Sequence, residues 1–343
     1  MQLRANNHFV PASYLRRWAG GDGRISTYRL LVNHPSVPVW DRQSPRGLAR
    51  LRHLYTSTLA GGETDEMERW LDTEFESPAS NVIEMAISGA RLSRGNYRVL
   101  ARFVAAQDVR TPARLREVLE RGREDVPAVM QKTLERSVRE LERAIASREA
   151  LPPVPESTAD AFPARVRIRP GPDGEHCTIQ VEATVGRGYW QFQMRRLLTK
   201  TVEHLCRHRW TILRAPTGVR WVTSDDPVIK LNWNGPDSYD FGGGWGSHGT
   251  EIILPLSPTY VLYTAIGRRP PPRGTMVALK TAMWMQEVFI KHADRFIFAV
   301  EPDPTVEAIR PRCVDSVAFE NEREQWRRWH DENQAAERAI LTK

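Results

Sequence analysis

Cysteine is scarce in this chain, and its few copies are scattered. The three cysteines, Cys177, Cys206 and Cys313, are odd in number and form no Cys-x-x-Cys pair. A disulfide framework needs an even and closely spaced set, and a cysteine-rich zinc module needs paired thiolates. Both arrangements are therefore excluded, and we expect the thiols to be reduced.

Long apolar runs are absent as well. No stretch of the sequence approaches the roughly 20 apolar residues that a membrane-spanning helix needs. The polar start at residues 1–7 lacks the apolar core of a secretory signal. The sequence thus predicts a cytoplasmic protein without a membrane partner.

The standard catalytic strings are also missing. No Gly-x-Ser-x-Gly turn occurs, and no cysteine lies in an activating context, which disfavours a serine or cysteine hydrolase. The glycine-rich residues 242–246 lack the Gly-Lys-Ser/Thr of a phosphate loop. His204 and His208 have metal-ligand spacing on a helix, but the glutamate that follows the first histidine of a zincin is absent.

What the chain has in abundance is charge. Its 343 residues are 41% hydrophobic and 27% charged, which is typical of a folded protein, and the net charge is +7. Arginine outnumbers lysine, and a guanidinium group can hold phosphate through two parallel hydrogen bonds. Nucleic acid or another phosphate-bearing ligand is therefore a candidate partner. Many arginines lie among glutamates in residues 114–148, so a solvated helix surface explains much of the charge equally well.

The hydrophobic pattern predicts an α+β fold. Apolar residues recur with helical spacing in residues 67–86, 97–104 and 126–145, so the first half is mainly helical. In the second half, short strand-like runs form a mixed sheet, flanked by helices near 190–208, 276–292 and 320–340. An opening strand at residues 24–30 has no sheet of its own nearby. We expect it to join the sheet of the second half.

One stretch has the composition of a linker. Residues 151–158 contain three prolines in close order, which cannot continue a helix and favour an extended chain. We predict one composite domain over residues 1–343. A subdivision into a mainly helical part, 1–150, and an α+β part, 160–343, stays open.

Two separated strings place reactive side chains beside a proline. His8 precedes Pro11, and a histidine there can bind a metal or act as a general base. Asp225 and Asp226 follow a predicted strand and precede Pro227, and two carboxylates at a strand end can bind Mg²⁺. Each string also has a structural explanation: a histidine ring can hold a backbone carbonyl, and Ser-Asp-x-Pro strings commonly form turns.

Four blocks resemble a widespread bacterial family that is described as a domain of unknown function. They occur in order over residues 6 to about 300: His8-Phe9-Val10-Pro11 with Tyr14-Leu15-Arg16, Phe103-Val104-Ala105-Ala106-Gln107 with Arg110-Thr111-Pro112, Thr223-Ser224-Asp225-Asp226-Pro227-Val228, and Leu254-Pro255-Leu256-Ser257-Pro258. Many members of that family carry a second histidine where this chain has Asn7. The resemblance implies positions of interest without implying a reaction.

The leading hypothesis is metal-assisted hydrolysis of a phosphate ester, in nucleic acid. We predict one composite site where the His8 segment, the helix end at residues 107–110 and the Asp225 loop converge. The catalytic residues would be His8, Asp225 and Asp226. The metal, Mg²⁺ or Mn²⁺, would be held by Asp225, Asp226 and Glu251. The substrate would be bound by Arg16, Gln107 and Arg110.

The alternative hypothesis is a non-catalytic interaction protein, regulatory or associated with defence. Its motif residues would form an internal polar network, in which an Arg110–Asp225 ion pair is the first contact that we expect. A solvent-filled cleft shared by His8 and Asp225 would favour a site. Mutual burial of the two without a cleft would favour a structural role.

Overall fold

The computed structural model describes residues 3–59, 62–148, 162–170, 172, 177–235 and 238–341. The predicted linker at residues 151–158 lies outside these ranges. The α-helices are α1 Ala12–Leu15, α2 Glu66–Leu71, α3 Ser77–Ile87, α4 Arg94–Val109, α5 Pro112–Ser147, α6 Arg187–Arg196, α7 Val202–Cys206, α8 Leu279–His292, α9 Pro304–Ile309 and α10 Ser316–Leu341.

The strands concentrate at the start of the chain and in its second half. They are β1 Asn6–His8, β2 Ile25–Arg29, β3 Leu31–Val32, β4 Trp40–Gln43, β5 Arg50–Arg52, β6 Ser57–Leu59, β7 Gly62–Thr64, β8 Ala164–Pro170, β9 Cys177–Ala183, β10 Thr211–Arg214, β11 Thr223–Ser224, β12 Ile229–Gly235, β13 Ser238–Asp240, β14 Glu251–Ser257, β15 Tyr260–Ala265, β16 Phe296–Ala299 and β17 Cys313–Val314. The predicted α+β class is confirmed.

Two antiparallel sheets carry most of the strands. The larger has the order β10-β15-β14-β12-β13, and the smaller has the order β11-β16-β2-β4. In the smaller sheet β2, from the start of the chain, pairs with β16 from its end. This confirms the prediction that the opening strand joins strands of the second half, and it brings the segment around residue 225 close to the N-terminal part of the chain.

Local sequence signals determine how the helices near the site begin. The Thr111 side chain caps α5 by accepting from the backbone N–H of Arg114 at 3.4 Å, and Pro112 takes the first helical position. Between α2 and α3 the chain forms a π-helical turn over Asp72–Glu76. Such turns are rare and often occur at functional sites. This turn presents Asp72 and Glu76 at the surface described below.

The main hydrophobic core crosses the two halves of the chain. Its buried side chains come from the N-terminal segment, from the chain between α2 and α7, and from the larger sheet, for example Leu15, Phe75, Val104, Leu205 and Leu254. Burial of this apolar area is the dominant favourable contribution to folding. None of the described helices is long and apolar enough to cross a membrane.

Candidate functional site

His8 lies on a short two-stranded ribbon at the edge of the molecule. β1 pairs with β5 so that His8 is opposite Arg50 and Asn6 is opposite Arg52. Residues directly opposite each other in an antiparallel pair project to the same face. On this face the two arginines are exposed and His8 is half-buried, whereas Asn7 on the other face is fully buried. The ribbon therefore groups one histidine with two arginines.

The His8 ring has a defined tautomer. Its Nε2 lies 3.2 Å from the carbonyl oxygen of Arg46. A carbonyl can only accept, so Nε2 carries the proton and Nδ1 keeps its lone pair. Burial lowers the pKa of His8, and the charges of Arg110 and Arg50 lower it further against the opposing effects of Arg46 and Glu76. At neutral pH the ring is an uncharged base.

Arg110 ties the helix end to the N-terminal segment from inside the protein. It is fully buried, it donates to the Glu76 Oε1 atom at 2.5 Å, and it also donates to the backbone carbonyl of His8. Burial lowers the pKa of Arg110, but the negative charge of Glu76 and further contributions from Tyr55 and Glu68 raise it overall. The predicted convergence of the two motifs occurs, yet the guanidinium is not exposed to a ligand.

A cleft of about 470 Å³ opens beside His8. It is hereafter the His8 cleft, and its chemically active lining comprises Arg4, His8, Glu68, Asp72 and Glu76. Arg4 and Asp72 form an ion pair at 2.9 Å across its outer part. The cleft thus combines a neutral imidazole with three carboxyl groups.

Glu68 is the most unusual group in the cleft. Its side chain is 9% exposed, and its buried Oε2 atom has no hydrogen-bond partner. Burial raises the pKa of Glu68 to about 7; Glu76 adds to the effect and Arg110 opposes it. A backbone hydrogen bond from His8 to this carboxyl also opposes the rise of its pKa. Buried carboxyl groups with raised pKa values cluster at functional sites. The sequence analysis did not identify Glu68 and Glu76. The only sequence feature that could have indicated them is that two acidic residues lie next to the apolar residues of α2 and of the π-helical turn.

Asp225 is held by backbone amides and not by Arg110. Its Oδ1 accepts from the N–H of Asp294 at 3.0 Å, and its Oδ2 accepts from the N–H of Arg295 at 2.8 Å. The expected Arg110–Asp225 ion pair is wrong, because Arg110 is neutralised by Glu76. Burial and the charge of Asp294 raise the pKa of Asp225 to about 7, against these backbone hydrogen bonds.

Asp225 lines a second cleft, of about 330 Å³, with Phe9, Arg29, Arg50 and Arg295 among its neighbours. His8 and Asp225 therefore do not share one cleft, since His8 lines the first and its neighbour Phe9 lines the second. The N-terminal segment separates the two openings. The second cleft is of mixed charge, because Asp294 and Glu322 also line it and both pair with Arg295.

Asp226 belongs to a buried polar network. Its Oδ1 accepts from the Thr111 hydroxyl at 3.0 Å, and its Oδ2 lies 3.4 Å from a guanidinium nitrogen of Arg114. Its backbone carbonyl accepts from Nδ1 of His292 at 2.9 Å, so Nε2 of that ring accepts from Arg114 at 3.2 Å. Burial raises the pKa of Asp226 although His292 and Arg114 oppose the effect.

Asp108 continues the same network. Its Oδ2 accepts from Nζ of Lys230 at 2.8 Å and from the indole N–H of Trp245 at 2.7 Å. Trp245 is buried, so the glycine-rich loop of residues 242–250 is docked on the protein through this ring. Arg114 joins the two carboxylates through ion pairs of 3.6 Å to Asp108 and 3.4 Å to Asp226, although Asp108 Oδ1 and Arg114 Nε have no hydrogen-bond partner.

The other predicted ligands lie apart from both clefts. Gln107 is fully buried, and neither end of its amide has a hydrogen-bond partner. Arg16 is exposed, and within the described ranges no carboxylate lies within ion-pair distance of it. Glu251 pairs with Arg268 at 2.7 Å and lines a separate groove with Tyr263. The structure does not place Glu251 with Asp225 and Asp226.

One preformed group has the residue types of a metal site. Among the described residues, His53, Glu63 and His330 are the only three whose candidate ligand atoms lie within 4.8 Å of one another. His330 Nδ1 lies 3.1 Å from a guanidinium nitrogen of Arg187, and its Nε2 lies 3.0 Å from Glu63. Arginine can only donate, so Nε2 carries the proton and has no lone pair for a metal. These three side chains therefore form a hydrogen-bonded structural cluster.

The comparisons with known proteins identify a family and no activity. A family model described as "Protein of unknown function (DUF4238)" matches residues 6–303. A search of curated proteins and a search of solved structures gave no match. The matched range contains all four sequence blocks and most of the lining of both clefts. Outside it lie Leu3, Arg4 and Ala5 of the His8 cleft and Phe319, Glu322, Arg323 and Trp326 of the second cleft.

Proposed function

The chain belongs to this family of proteins of unknown function, and we propose that it hydrolyses a phosphate ester of nucleic acid with the help of a divalent metal ion in the His8 cleft. The observation that carries the proposal is Glu68, a carboxyl group with a pKa of about 7 and an unpartnered oxygen beside a neutral histidine. Folding alone gives no reason to keep such a group there.

Two carboxyl groups of the cleft have environments that differ in the way acid–base catalysis requires. Glu76 forms an ion pair with Arg110 at 2.5 Å, whereas Glu68 is buried without a bonded cation. Hydrolases often contain two neighbouring carboxyl groups whose different environments give them different pKa values, so that one is protonated while the other is charged. Glu68 is the general acid in this scheme, and Glu76 is the fixed negative charge.

His8 supplies the base. Its unprotonated Nδ1 takes a proton from the attacking water as the oxygen of that water bonds to phosphorus. The phosphorus–oxygen bond of the ester breaks, and Glu68 donates its proton to the leaving oxygen. Arg4, which lines the cleft and pairs with Asp72, stabilises the phosphate charge.

The metal site proposed here differs from the one predicted from sequence. Asp225 is occupied by two backbone amides, Asp226 by Thr111 and Arg114, and Glu251 by Arg268. Asp72 and Glu76 line the cleft and, although they pair with Arg4 and Arg110, would offer further oxygen lone pairs, which Mg²⁺ and Mn²⁺ prefer. Glu68 is not a ligand in this scheme, because it holds the proton that it donates. The cleft volume leaves room for water between ion and carboxylates. The ion would neutralise charge on the phosphate oxygens.

The test is hydrolysis of bis(p-nitrophenyl) phosphate and of single-stranded oligonucleotides in Mg²⁺ or Mn²⁺. We expect Glu68→Gln and His8→Gln each to lower kcat about 100-fold or more, which is the usual contribution of general acid–base catalysis. Glu74→Gln is the control, because Glu74 lies on the π-helical turn that follows α2 but is exposed and pairs with Arg102. No turnover with either metal, or unchanged turnover in Glu68→Gln, contradicts the proposal.

A second candidate function is the non-catalytic interaction protein, regulatory or associated with defence. The observation that favours it is that Arg110, Asp225 and Asp226 all find partners inside the protein. Under this hypothesis Glu68→Gln and His8→Gln change the free energy of unfolding and nothing else. Metal ions would then leave the melting temperature of the wild type unchanged.

A further inference from the structure

A groove lined by aromatic rings lies on the larger sheet. It is hereafter the aromatic groove, and its volume is about 810 Å³. Trp233 and Tyr239 come from neighbouring strands β12 and β13, Trp284 comes from α8, and Glu251 and Tyr263 come from β14 and β15. Ligand sites of this size are commonly lined by aromatic side chains with a few polar groups. The scheme proposed for the His8 cleft uses none of these residues.

The rings form a stack that solvent can reach. Trp233 and Trp284 stack on each other with their centroids 5.5 Å apart and an angle of 25° between the ring planes, so a further ring can continue the stack on an outer face of the pair. Tyr239 packs edge-on against Trp284 at 5.9 Å. Trp233 is 37% exposed, and Met276, which also lines the groove, is exposed too. Flat, sequence-tolerant stacking of bases on such rings is how proteins bind single-stranded nucleic acid.

The polar side of the groove contains a hydrogen-bond acceptor, the carboxylate of Glu251. Glu251 pairs with Arg268 at 2.7 Å, and Arg268 is more than half exposed while Glu251 is nearly buried. Burial raises the pKa of Tyr263, and the charge of Glu251 raises it further, so the phenol stays protonated and can donate to that carboxylate. A carboxylate has about four acceptor positions, so capacity remains for a ligand that donates.

One edge of the groove carries a lysine. Lys280 is exposed, and no described carboxylate lies within ion-pair distance of it. It lies in the first turn of α8, whose N-cap Ala278 makes no side-chain cap. Backbone N–H groups at a helix N-terminus attract phosphate, and a lysine beside them adds charge. The groove thus offers a ring platform, an acceptor within, and a cation at the edge.

We propose that the aromatic groove binds a guanine nucleotide unit of single-stranded nucleic acid. The base lies on Trp233 and Trp284, its N1–H and N2–H groups donate to Glu251, and its phosphate lies near Lys280. Guanine presents two adjacent donors, whereas uracil flanks its single N–H with carbonyl oxygens that a carboxylate repels. The inference rests on the proposed function, since it names the substrate class that reaches the His8 cleft.

The test is calorimetric titration of the full chain with GMP and with UMP in EDTA, where no metal-dependent turnover occurs. We expect saturable GMP binding at least tenfold tighter than UMP binding.

Trp284→Ala should weaken GMP binding about tenfold or more, because stacking on the ring is lost. Glu251→Gln should remove the preference for GMP. Glu287→Gln, a second acid of the same groove that pairs with Lys291, is the matched control and should change neither.

Lys280→Ala keeps the test informative if the other variants unfold, because the side chain is exposed and makes no ion pair in the described structure. It should weaken binding of GMP more than binding of guanosine. Equal binding of GMP and UMP, or GMP binding that Trp284→Ala and Lys280→Ala leave unchanged, overturns the inference.

Hydrolysis of bis(p-nitrophenyl) phosphate separates this inference from the proposed function, because that substrate has no nucleobase. Trp284→Ala should hydrolyse it at the wild-type rate. Intact hydrolysis without guanine-selective binding overturns the groove assignment alone. Guanine-selective binding without any hydrolysis overturns the proposed function alone, and leaves a nucleotide-binding protein.

Discussion

Glu68 shows how a single buried carboxyl couples the candidate site to the stability of the whole chain. Its folded-state pKa of about 7 lies above the ordinary value of 4.5. The folded protein therefore favours the protonated form. The stability that this group contributes is fully present below about pH 4.5 and is lost as the pH rises through 7.

We expect Glu68→Gln to flatten the dependence of stability on pH. The wild type should lose about 3 kcal/mol more than the variant between pH 4.5 and pH 8, because one pKa unit corresponds to about 1.4 kcal/mol. Urea unfolding of both proteins at several pH values in this window measures the difference. Glu74→Gln should follow the wild type, and parallel curves for Glu68→Gln would show that Glu68 is not a buried acid.

Asp225 leads to a different expectation, because its carboxylate accepts from two backbone N–H groups. In Asp225→Asn one of these donors would face the amide NH₂ group of the new side chain. We expect a loss of roughly 1–3 kcal/mol in the free energy of unfolding, the cost of a buried donor left unsatisfied. Chemical denaturation measures it, with the exposed Asp331→Asn as the control. A loss of metal-dependent turnover without destabilisation would instead restore Asp225 as a metal ligand.

At the scale of elements, the C-terminal helix α10 is fastened by a buried ion pair. Arg187 is fully buried, and its guanidinium donates to both carboxylate oxygens of Glu337, at 2.9 and 2.7 Å. The same carboxylate accepts from the backbone N–H of Thr58 at 2.7 Å. One side chain of α10 therefore connects the helix to α6 and to the β6 strand.

We expect Glu337→Ala to destabilise the protein by about 3–5 kcal/mol, because Arg187 would keep its charge in the interior without a partner. Amide hydrogen exchange should show faster exchange along α10, and urea unfolding gives the free energy. Glu332→Ala changes an exposed residue of the same helix and should be near neutral. Equal exchange rates in the two variants would mean that the helix is held by its apolar face alone.

At the scale of the molecule, strands and core side chains from both ends of the chain interlock. β2 lies between β16 and β4, and buried residues of the N-terminal segment and of the larger sheet share one core. Units that share a core tend to unfold together. The alternative subdivision into residues 1–150 and 160–343 would produce the opposite behaviour, with each part melting independently.

We therefore expect one unfolding transition for the full chain. Tryptophan fluorescence and far-ultraviolet circular dichroism should give the same midpoint in urea, because the first reports tertiary packing and the second reports mainly the helices. Saturating Mn²⁺ should shift both midpoints together if the ion binds only the folded protein. Two separate transitions would support the subdivision into residues 1–150 and 160–343.

Part of the site was within reach of the sequence. The convergence of the His8 segment with the helix end was predicted, and the capping signal Thr111-Pro112 marked where α5 begins. The partner of Arg110 was not predicted, because no feature of the sequence distinguishes Glu76 from the other glutamates of the first half. Its π-helical position and its distance to Arg110 are consequences of packing.

The sequence by itself determined the fold class, the helical first half and the strand at residues 24–30, because helix and strand periods are local properties that a few neighbouring side chains express. Only the tertiary structure decided which acid meets which base. Asp225 meets amides about 70 residues away, Arg110 meets Glu76, and Glu251 faces a different groove from Asp225. Such pairings depend on how elements pack over long separations in the chain, and burial then determines which carboxyl groups keep their protons.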